Sequence, residues 1–269
     1  MELLRLVEIE LWNYCNRKCK WCPNHFIDRQ TEIYFLDRSV LEEVVESLKT
    51  INYAGYISFS RYNEPLAFPS ILHMVCAYIK RKLPNCTLVT NTNGDYLTKE
   101  TIESLLIDEL SIMDYDNRGM EWCKNRLLDL DCTITEISDN FIYAYHDDMK
   151  ILYYVNWKDN YVPGNRGGAL QLEDMTRDYI CTEPQYFIGV NYDGTVSPCC
   201  NIRNDYGQHH PLILGDLHDQ SLPSILSSDK RYGFINYCNN AVFNKESPCY
   251  NCSNKGGRYT RDNGGIEYV

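Results

Sequence analysis

The chain has 269 residues, a hydrophobic content of 44% and a formal net charge of −11. This length suits one large domain or a domain with a small appendage, and the composition can fill a sizeable core. The acidic charge argues against a polymeric nucleic acid as partner, because a phosphate backbone needs a basic face. No apolar run approaches the roughly 18 residues of a membrane span, and the first residues do not resemble a signal peptide. We therefore expect a cytoplasmic protein with no membrane partner.

The first predicted element is a strand over residues 6–12, where apolar and polar side chains alternate. A loop with three cysteines, Cys15, Cys19 and Cys22, follows it directly with the spacing C-x3-C-x2-C. Three thiolates so close together are typical ligands of a soft metal centre. An iron–sulfur cube has four irons, so three cysteines would leave one iron open for a substrate or cofactor. A closed zinc site is the alternative, with His25 as the nearby candidate for a fourth ligand.

Strands and helices alternate as far as residue 155. The further predicted strands cover residues 56–60, 87–90, 109–113, 133–137 and 150–155. The predicted helices begin at Asp37 or Ser39 and then cover residues 69–82, 98–106 and 117–130. Residues 138–149 are predicted to be irregular, because the segment is short and aromatic. Alternation at crossover-length spacing predicts a parallel sheet, in which reactive residues gather at the carboxyl ends of the strands.

The character of the chain changes from about residue 157. A glycine-rich loop over residues 163–168 leads into a region with few helix signals and many turns. A hairpin is predicted there, with strands over residues 186–191 and 195–198 and a turn at Tyr192-Asp193-Gly194.

Four late cysteines form a second candidate metal site: Cys181, Cys199, Cys249 and Cys252. Four thiolates complete an iron–sulfur cube and leave no iron open, although a zinc ribbon needs the same number of ligands. In a cytoplasmic chain, metal binding explains thirteen cysteines better than disulfide bonds do. Cys200 remains an alternative to Cys199 as ligand. The four cysteines in the middle of the chain are assigned to the core.

The cysteine loop after a first strand resembles the signature of the radical S-adenosylmethionine (SAM) superfamily, in which an aromatic residue, here Trp21, precedes the third cysteine. The resemblance implies an α/β fold, an open (β/α)6 partial TIM barrel, over residues 1–160. The late cysteines, with Gly194 five residues before Cys199, resemble the twitch domain, a shortened SPASM domain. This implies a small auxiliary-cluster domain of β-hairpin and helices over residues 161–269. The implied cofactors are two [4Fe–4S] clusters and SAM.

The same resemblance assigns residues to SAM. Asn63-Glu64-Pro65 stands where the superfamily has Gly-Gly-Glu-Pro, so Glu64 and its neighbour Asn63 are implied to bind the amine of SAM. The glycine conformation is not carried over, because Tyr62 and Asn63 replace the glycines. Asn91 and Asn93 resemble the Thr-Asn-Gly turn after the third strand, whose side chains face the SAM or substrate pocket. Ordinary polar turns are the alternative for both motifs.

Arg166 is the predicted catalytic residue. Its Asn-Arg-Gly-Gly sequence resembles the linker of many SPASM and twitch enzymes, and it lies between the two predicted clusters along the chain. A guanidinium there could hold an anion or hydroxyl of the substrate. A structural arginine that ties the two domains together is the alternative.

The resemblance implies that the first cluster, reduced by a flavodoxin- or ferredoxin-type donor, cleaves SAM to methionine and a 5′-deoxyadenosyl radical. The radical removes a hydrogen atom from the bound substrate, and the auxiliary cluster acts as an electron relay. We expect oxidation of a small polar molecule, such as a sugar or an aminocyclitol. Peptide or protein modification, nucleotide modification and a non-catalytic zinc module remain open as alternatives.

Overall fold

The computed structural model describes residues 4–155, 164–170 and 176–252. Within them, the strands are β1 (Leu6–Ile9), β2 (Tyr56–Ser58), β3 (Thr87–Thr92), β4 (Glu109–Met113), β5 (Thr133–Ile137), β6 (Phe141–His146), β7 (Met149–Tyr154), β8 (Phe187–Val190), β9 (Thr195–Ser197) and β10 (Gly215–Asp216). They form one ten-stranded sheet in the order β10-β9-β8-β1-β2-β3-β4-β7-β6-β5.

The helices in the described residues are α1 (Arg38–Thr50), α2 (Pro69–Lys82), α3 (Lys99–Ser104), α4 (Met120–Asp129), α5 (Glu183–Tyr186), α6 (Leu222–Leu226) and α7 (Asp229–Asn239). Short 3-10 turns cover Pro23–His25, Pro65–Ala67 and Gly207–Leu212. The first helix begins as predicted, because the Asp37 carboxylate accepts a hydrogen bond from the Ser39 N–H at 3.3 Å. Within the described residues, no helix has the length and apolar character needed to cross a membrane.

Six neighbouring strands of the sheet, from β8 through β1, β2, β3 and β4 to β7, are parallel. The helices α1 to α3 connect β1, β2, β3 and β4, and their apolar stripes pack on the sheet; Val44, Leu72 and Ile102 are almost fully buried. The predicted α/β fold with an open parallel sheet is therefore confirmed. The parallel arrangement brings the loops that follow β1, β2, β3 and β4 to one edge.

The prediction for one end of the sheet was wrong. Residues 138–149, predicted to be irregular, contain β6, and β5 and β6 are antiparallel to their neighbours. The strand predicted over 133–137 is therefore an antiparallel edge strand rather than a parallel barrel strand. Its side chains are mostly exposed, which suits an edge.

The sixth parallel strand comes from the second half of the chain. β8 pairs with β1 in parallel register, with Leu6 opposite Phe187 and Ile9 opposite Val190. The predicted hairpin is confirmed, because β8 continues into antiparallel β9 through a turn in which Gly194 has φ +84°. The sheet is thus continuous across the two predicted domains. The boundary at residues 160 and 161 lies outside the described residues and stays a prediction.

Candidate functional site

The cysteine loop leaves the carboxyl end of β1 and folds back on itself. The Cys22 N–H donates to the Cys19 carbonyl at 3.0 Å, and the Cys15 N–H donates to the Arg29 carbonyl at 3.3 Å. The pKa of Cys15 is raised to about 12 and that of Cys19 to about 11, chiefly by burial and in part by the neighbouring Cys22 sulfur. The three thiols therefore lie close together, in a place where thiolates need a cationic partner.

An arginine inside the loop fixes it over the sheet edge. Arg17 forms a bidentate ion pair with Asp95, at 2.5 and 2.7 Å, and a second one with Asp116, at 2.9 and 3.1 Å. Asp95 follows β3 and Asp116 follows β4, so one side chain ties three loops together. Bidentate arginine–carboxylate pairs set geometry as well as energy. No local sequence pattern predicts these ion pairs, because Asp95 and Asp116 lie 78 and 99 residues from Arg17.

Glu64 lies beside the cysteine loop, as its motif predicts. Its carboxylate is buried and accepts hydrogen bonds from the Leu66 N–H at 3.0 Å, the Thr92 hydroxyl at 2.6 Å and the Asn93 N–H at 3.0 Å. Burial raises the pKa of Glu64 to about 7, although these three hydrogen bonds oppose the rise. Its charge also raises the pKa of Cys15. Glu64 therefore joins the ends of β2 and β3 at the cysteine loop, while its role in SAM binding stays a prediction.

The three predicted asparagines are placed differently from one another. Asn93 reaches the cysteine loop, because its side-chain amide donates to the Asn16 side-chain oxygen at 2.8 Å. Asn91 lies inside β3, which is longer than predicted, and its N–H donates to the Ser60 hydroxyl at 3.2 Å. The Asn63 side chain closes its own turn, donating to the Phe59 carbonyl at 3.1 Å. Contact of all three with SAM stays a prediction.

The late cysteines also converge. Burial raises the pKa of Cys199 well above its usual value, and Cys200, Cys249, Cys252 and Cys181 add to the rise through their charges. All thirteen cysteines are free thiols. Cys199 therefore lies near the three other predicted ligands and near Cys200, and the choice between Cys199 and Cys200 stays a prediction.

Two further residues, which sequence reasoning did not assign to the site, touch these cysteines. The Asn201 amide donates to the Cys252 sulfur at 3.6 Å. Cys238, 1% exposed, lies in the same buried cluster as Cys181, and Cys249 packs against that cluster. For Asn201 the sequence signal is its position directly after the Cys199-Cys200 pair, whereas Cys238 carries no local signal.

Arg166 lies near two tyrosines, Tyr62 and Tyr115. Burial raises the pKa of both Tyr62 and Tyr115, and the nearby Arg166 charge partly opposes both rises. The Tyr115 ring lies 5.6 Å from the ring of Trp21 in the cysteine loop. The Tyr62 hydroxyl donates to the Cys200 carbonyl at 3.1 Å. Tyr115 therefore lies beside the cysteine loop and Tyr62 beside Cys200, and both lie near Arg166. Neither tyrosine was predicted as a site residue.

A buried histidine holds the loop that carries Arg166. His209 accepts a hydrogen bond from the Arg203 N–H at its Nδ1 (3.0 Å), so its Nε2 carries the proton and donates to the Gly167 carbonyl at 2.8 Å. Burial lowers the pKa of His209 to about 4, which keeps the ring neutral. Gly167 has φ +63°, and a Cβ there would lie 3.0 Å from the Asn201 carbonyl oxygen. The loop is therefore locked onto the second half of the chain.

A buried ion-pair network lies next to this loop. Arg29 pairs with Glu10 at 2.6 Å and with Asp205 at 2.7 Å, and Arg203 pairs with Asp205 at 2.6 Å. Burial alone would raise the pKa of Asp205. Hydrogen bonds from Arg203 and the charge of Arg29 nevertheless hold this pKa well below its usual range. The Arg203 guanidinium also lies 3.9 Å from the Tyr62 ring centroid. We name the four charged residues Glu10, Arg29, Arg203 and Asp205 the buried ion network. This network joins the two halves of the chain.

The two donor sets fit iron–sulfur chemistry. Both consist of closely spaced, free cysteine thiols, and thiolates are the ligands that such clusters use. Within residues 4–155, 164–170 and 176–252, no three or more His, Cys, Asp or Glu side chains are arranged to hold a single metal ion. A cluster instead spreads its thiolates over several irons.

Comparison with known proteins gives the same assignment. A family described as the radical SAM superfamily matches residues 9–108, and SPASM, an iron–sulfur cluster-binding domain, matches residues 181–253. The S-adenosyl-L-methionine-dependent 2-deoxy-scyllo-inosamine dehydrogenase of Niallia circulans is 27% identical over 259 residues, 94% of each chain.

Solved structures show the same fold. The crystal structure of BtrN in complex with AdoMet and 2-DOIA has a TM-score of 0.74 and 24% identity over 94% of each chain. The structure of anSMEcpe with bound AdoMet has a TM-score of 0.53 and 15% identity, covering 87% of this chain and 83% of that one. The open-sheet fold follows from the solved structures. SAM and iron–sulfur clusters as cofactors follow from the two family matches together with the two cysteine groups.

Proposed function

We propose a reaction for this chain on the premise that it belongs to the radical SAM superfamily and carries a SPASM-type iron–sulfur domain. The reaction is oxidation of an alcohol to a ketone on a small polar substrate, an aminocyclitol or a sugar. The observation that carries the proposal is the relation to a 2-deoxy-scyllo-inosamine dehydrogenase along 94% of both chains. When bound, SAM and the two clusters would supply a carbon-centred radical and one-electron transfer.

Residues 15, 19 and 22 would hold the first cluster, and Cys181, Cys199, Cys249 and Cys252 would hold the auxiliary cluster. We place the substrate between these groups, near Arg166, Tyr62 and Tyr115. A buried aromatic surround excludes water, which protects a reactive radical from side reactions. The substrate would bind in this space.

The proposed task of Arg166 is to orient the substrate hydroxyl. Oxidation of an alcohol removes one hydrogen atom from carbon, one proton from oxygen and one electron. The hydrogen atom would pass to the radical derived from SAM, the electron to the auxiliary cluster and the proton to solvent. A guanidinium stays protonated in proteins, so Arg166 would stabilise negative charge on the oxygen and would not take the proton itself. His209 supports this task by fixing the loop through Gly167.

The test uses anaerobically reconstituted protein, SAM, dithionite and 2-deoxy-scyllo-inosamine deuterated at the carbon that carries the oxidised hydroxyl. We expect a ketone product and deuterium in the 5′-deoxyadenosine that forms with it. Deuterium-free 5′-deoxyadenosine and unchanged aminocyclitol would contradict this substrate class.

Arg166→Ala is the matched variant. It should lower product formation at least about tenfold, as expected for loss of a charged hydrogen bond. The iron content and the substrate-independent cleavage of SAM should stay as in the wild type. A variant that oxidises the substrate normally would leave Arg166 with a structural role alone.

A flavodoxin- or ferredoxin-type protein is the proposed electron donor. Lys18 and Lys20 are exposed beside the cysteine loop and would suit an acidic carrier, in a chain that is acidic overall. A cytoplasmic location is part of the same proposal, because all thirteen cysteines are free and a reducing compartment keeps thiols reduced. Purified flavodoxin should reduce the first cluster of the wild-type protein. It should fail to reduce the first cluster of the Lys18→Glu/Lys20→Glu variant, and this contrast tests the donor.

A further inference from the structure

The auxiliary cysteine group has a side-chain amide donor beside it. Asn201 is 6% exposed, and its Nδ2 points at the Cys252 sulfur at 3.6 Å, within the range of an N–H···S hydrogen bond. The residue stands two positions after Cys199, and its backbone oxygen lies against Gly167 of the Arg166 loop. Its side chain is therefore held between the substrate region and the cysteines.

A fifth thiol lies on the other side of the group. Cys238 belongs to α7, and its carbonyl accepts a hydrogen bond from the Cys181 N–H at 3.0 Å. Phe234 and Phe243 pack around Cys181 and Cys238, which excludes water from this side. Cys249 packs against the same buried cluster, so Cys238 lies beside two of the predicted ligands. Four thiolates complete an iron–sulfur cube, so a fifth thiol has no iron left to bind.

Hydrogen bonds to the sulfur ligands set the reduction potential of an iron–sulfur cluster. An added electron makes the cluster more negative, so a donor that points at a ligand sulfur stabilises the reduced form more than the oxidised form. The effect is strong where water is excluded, because the local dielectric constant is low.

We propose that Asn201 and Cys238 are hydrogen-bond donors to the ligand sulfurs of the auxiliary cluster and that they raise its reduction potential. Asn201 serves Cys252, and Cys238, which has a single S–H, serves Cys181 or Cys249, so two of the four ligands receive a donor. Both are positioning residues that tune the cluster and do not bind iron. The inference rests on the auxiliary cluster of the proposed function.

The test is a redox titration of the auxiliary cluster followed by electron paramagnetic resonance, with iron counted per chain. Asn201→Leu keeps the size of the side chain and removes the donor. The equilibrium constant for reduction of the cluster should fall about tenfold. For a one-electron couple this corresponds to a shift of about 59 mV toward negative potential. Cys238→Ala should shift the potential in the same direction by less, because a thiol is a weak donor. The iron content should be unchanged in both variants.

Two further variants keep the result interpretable. Cys238→Ser retains an O–H donor and should keep a potential nearer to that of the wild type than Cys238→Ala does. Cys76→Ala removes a thiol that is equally buried in α2, away from the site, and should change neither potential nor iron.

Unchanged potentials in Asn201→Leu and Cys238→Ala would overturn the inference and leave the proposed function intact. Loss of about four irons in Cys238→Ala would also overturn it, because Cys238 would then be a ligand. A wild-type protein without an auxiliary cluster would overturn the electron relay of the proposed function as well, so the two failures are distinguishable.

Discussion

Glu64 already accepts three hydrogen bonds, yet a carboxylate offers about four lone-pair sites, so it can accept one more from an amine. Glu64→Gln removes the charge, and its NH2 group would face the Asn93 N–H or the Thr92 hydroxyl. Loss of a charge-assisted hydrogen bond should weaken SAM binding by about tenfold to a hundredfold. Titration calorimetry of SAM on reconstituted protein measures this. The exposed Glu42→Gln in α1 is the control, and equal affinities in the two variants would remove Glu64 from the SAM site.

His209 makes the stability of the protein depend on pH. Its folded pKa of about 4 lies below the ordinary value of 6.5, so its contribution is complete above pH 6.5 and is lost as the pH falls from 6.5 toward 4. Across this pH window the buried ring should account for a loss of about 3 kcal/mol in the free energy of unfolding. His209→Gln can keep both hydrogen bonds without titrating, so its loss of stability between pH 7.5 and pH 5 should be smaller.

Anaerobic urea unfolding of holoprotein at the two pH values measures the difference. His210→Gln, at the exposed neighbouring position, is the control and should behave as the wild type. Equal pH dependence of His209→Gln and wild type would show that the ring is already accessible to protons in the folded state.

At the level of elements, β6 shows the alternation of a strand with one buried face. Ile142 and Ala144 are almost fully buried, whereas Tyr143 and Tyr145 are about 40% exposed. Ile142→Ala should therefore destabilise the protein by about 2–5 kcal/mol. Tyr143→Ala, on the exposed face, should cost less than about 1 kcal/mol. Chemical denaturation of both variants tests the strand, and equal losses would contradict this register.

The hairpin of β6 and β7 explains why the end of the sheet was predicted incorrectly. Asp147-Asp148 forms a two-residue turn, and Asp147 has φ +51°, a conformation that aspartate tolerates. Without a glycine, this turn carried a weak sequence signal. The β1 loop, by contrast, was predictable because its three cysteines, its aromatic residues and the preceding strand are all local. Glu64 was found for the same reason.

At the scale of the whole molecule, the contacts that join the two halves could not be predicted. Arg29 and Asp205 are 176 residues apart, and β1 meets β8 from the far end of the chain. Neither residue belongs to a motif, and buried ion pairs have no periodic pattern that a sequence would reveal. Tyr62 and Arg166 were each visible in their motifs, but their approach depends on this long-range packing.

The buried ion network gives a prediction at this scale. Asp205→Asn keeps the shape of the side chain but leaves Arg29 and Arg203 short of one negative charge. Removing one partner from a buried network should cost about 3–5 kcal/mol of unfolding free energy. Arg38→Ala breaks the exposed Arg38–Glu42 pair and should cost less than about 1 kcal/mol. Urea unfolding of the two variants measures the contrast, and similar losses would mean that the network is solvated.

The most direct test of the radical SAM assignment is the amount of 5′-deoxyadenosine formed from SAM and dithionite by reconstituted protein. Wild-type protein should form it, and protein with Cys15→Ala, Cys19→Ala and Cys22→Ala together should form none while keeping about four of about eight irons. Cleavage of SAM by the triple variant, or none by fully reconstituted wild type, would contradict the account.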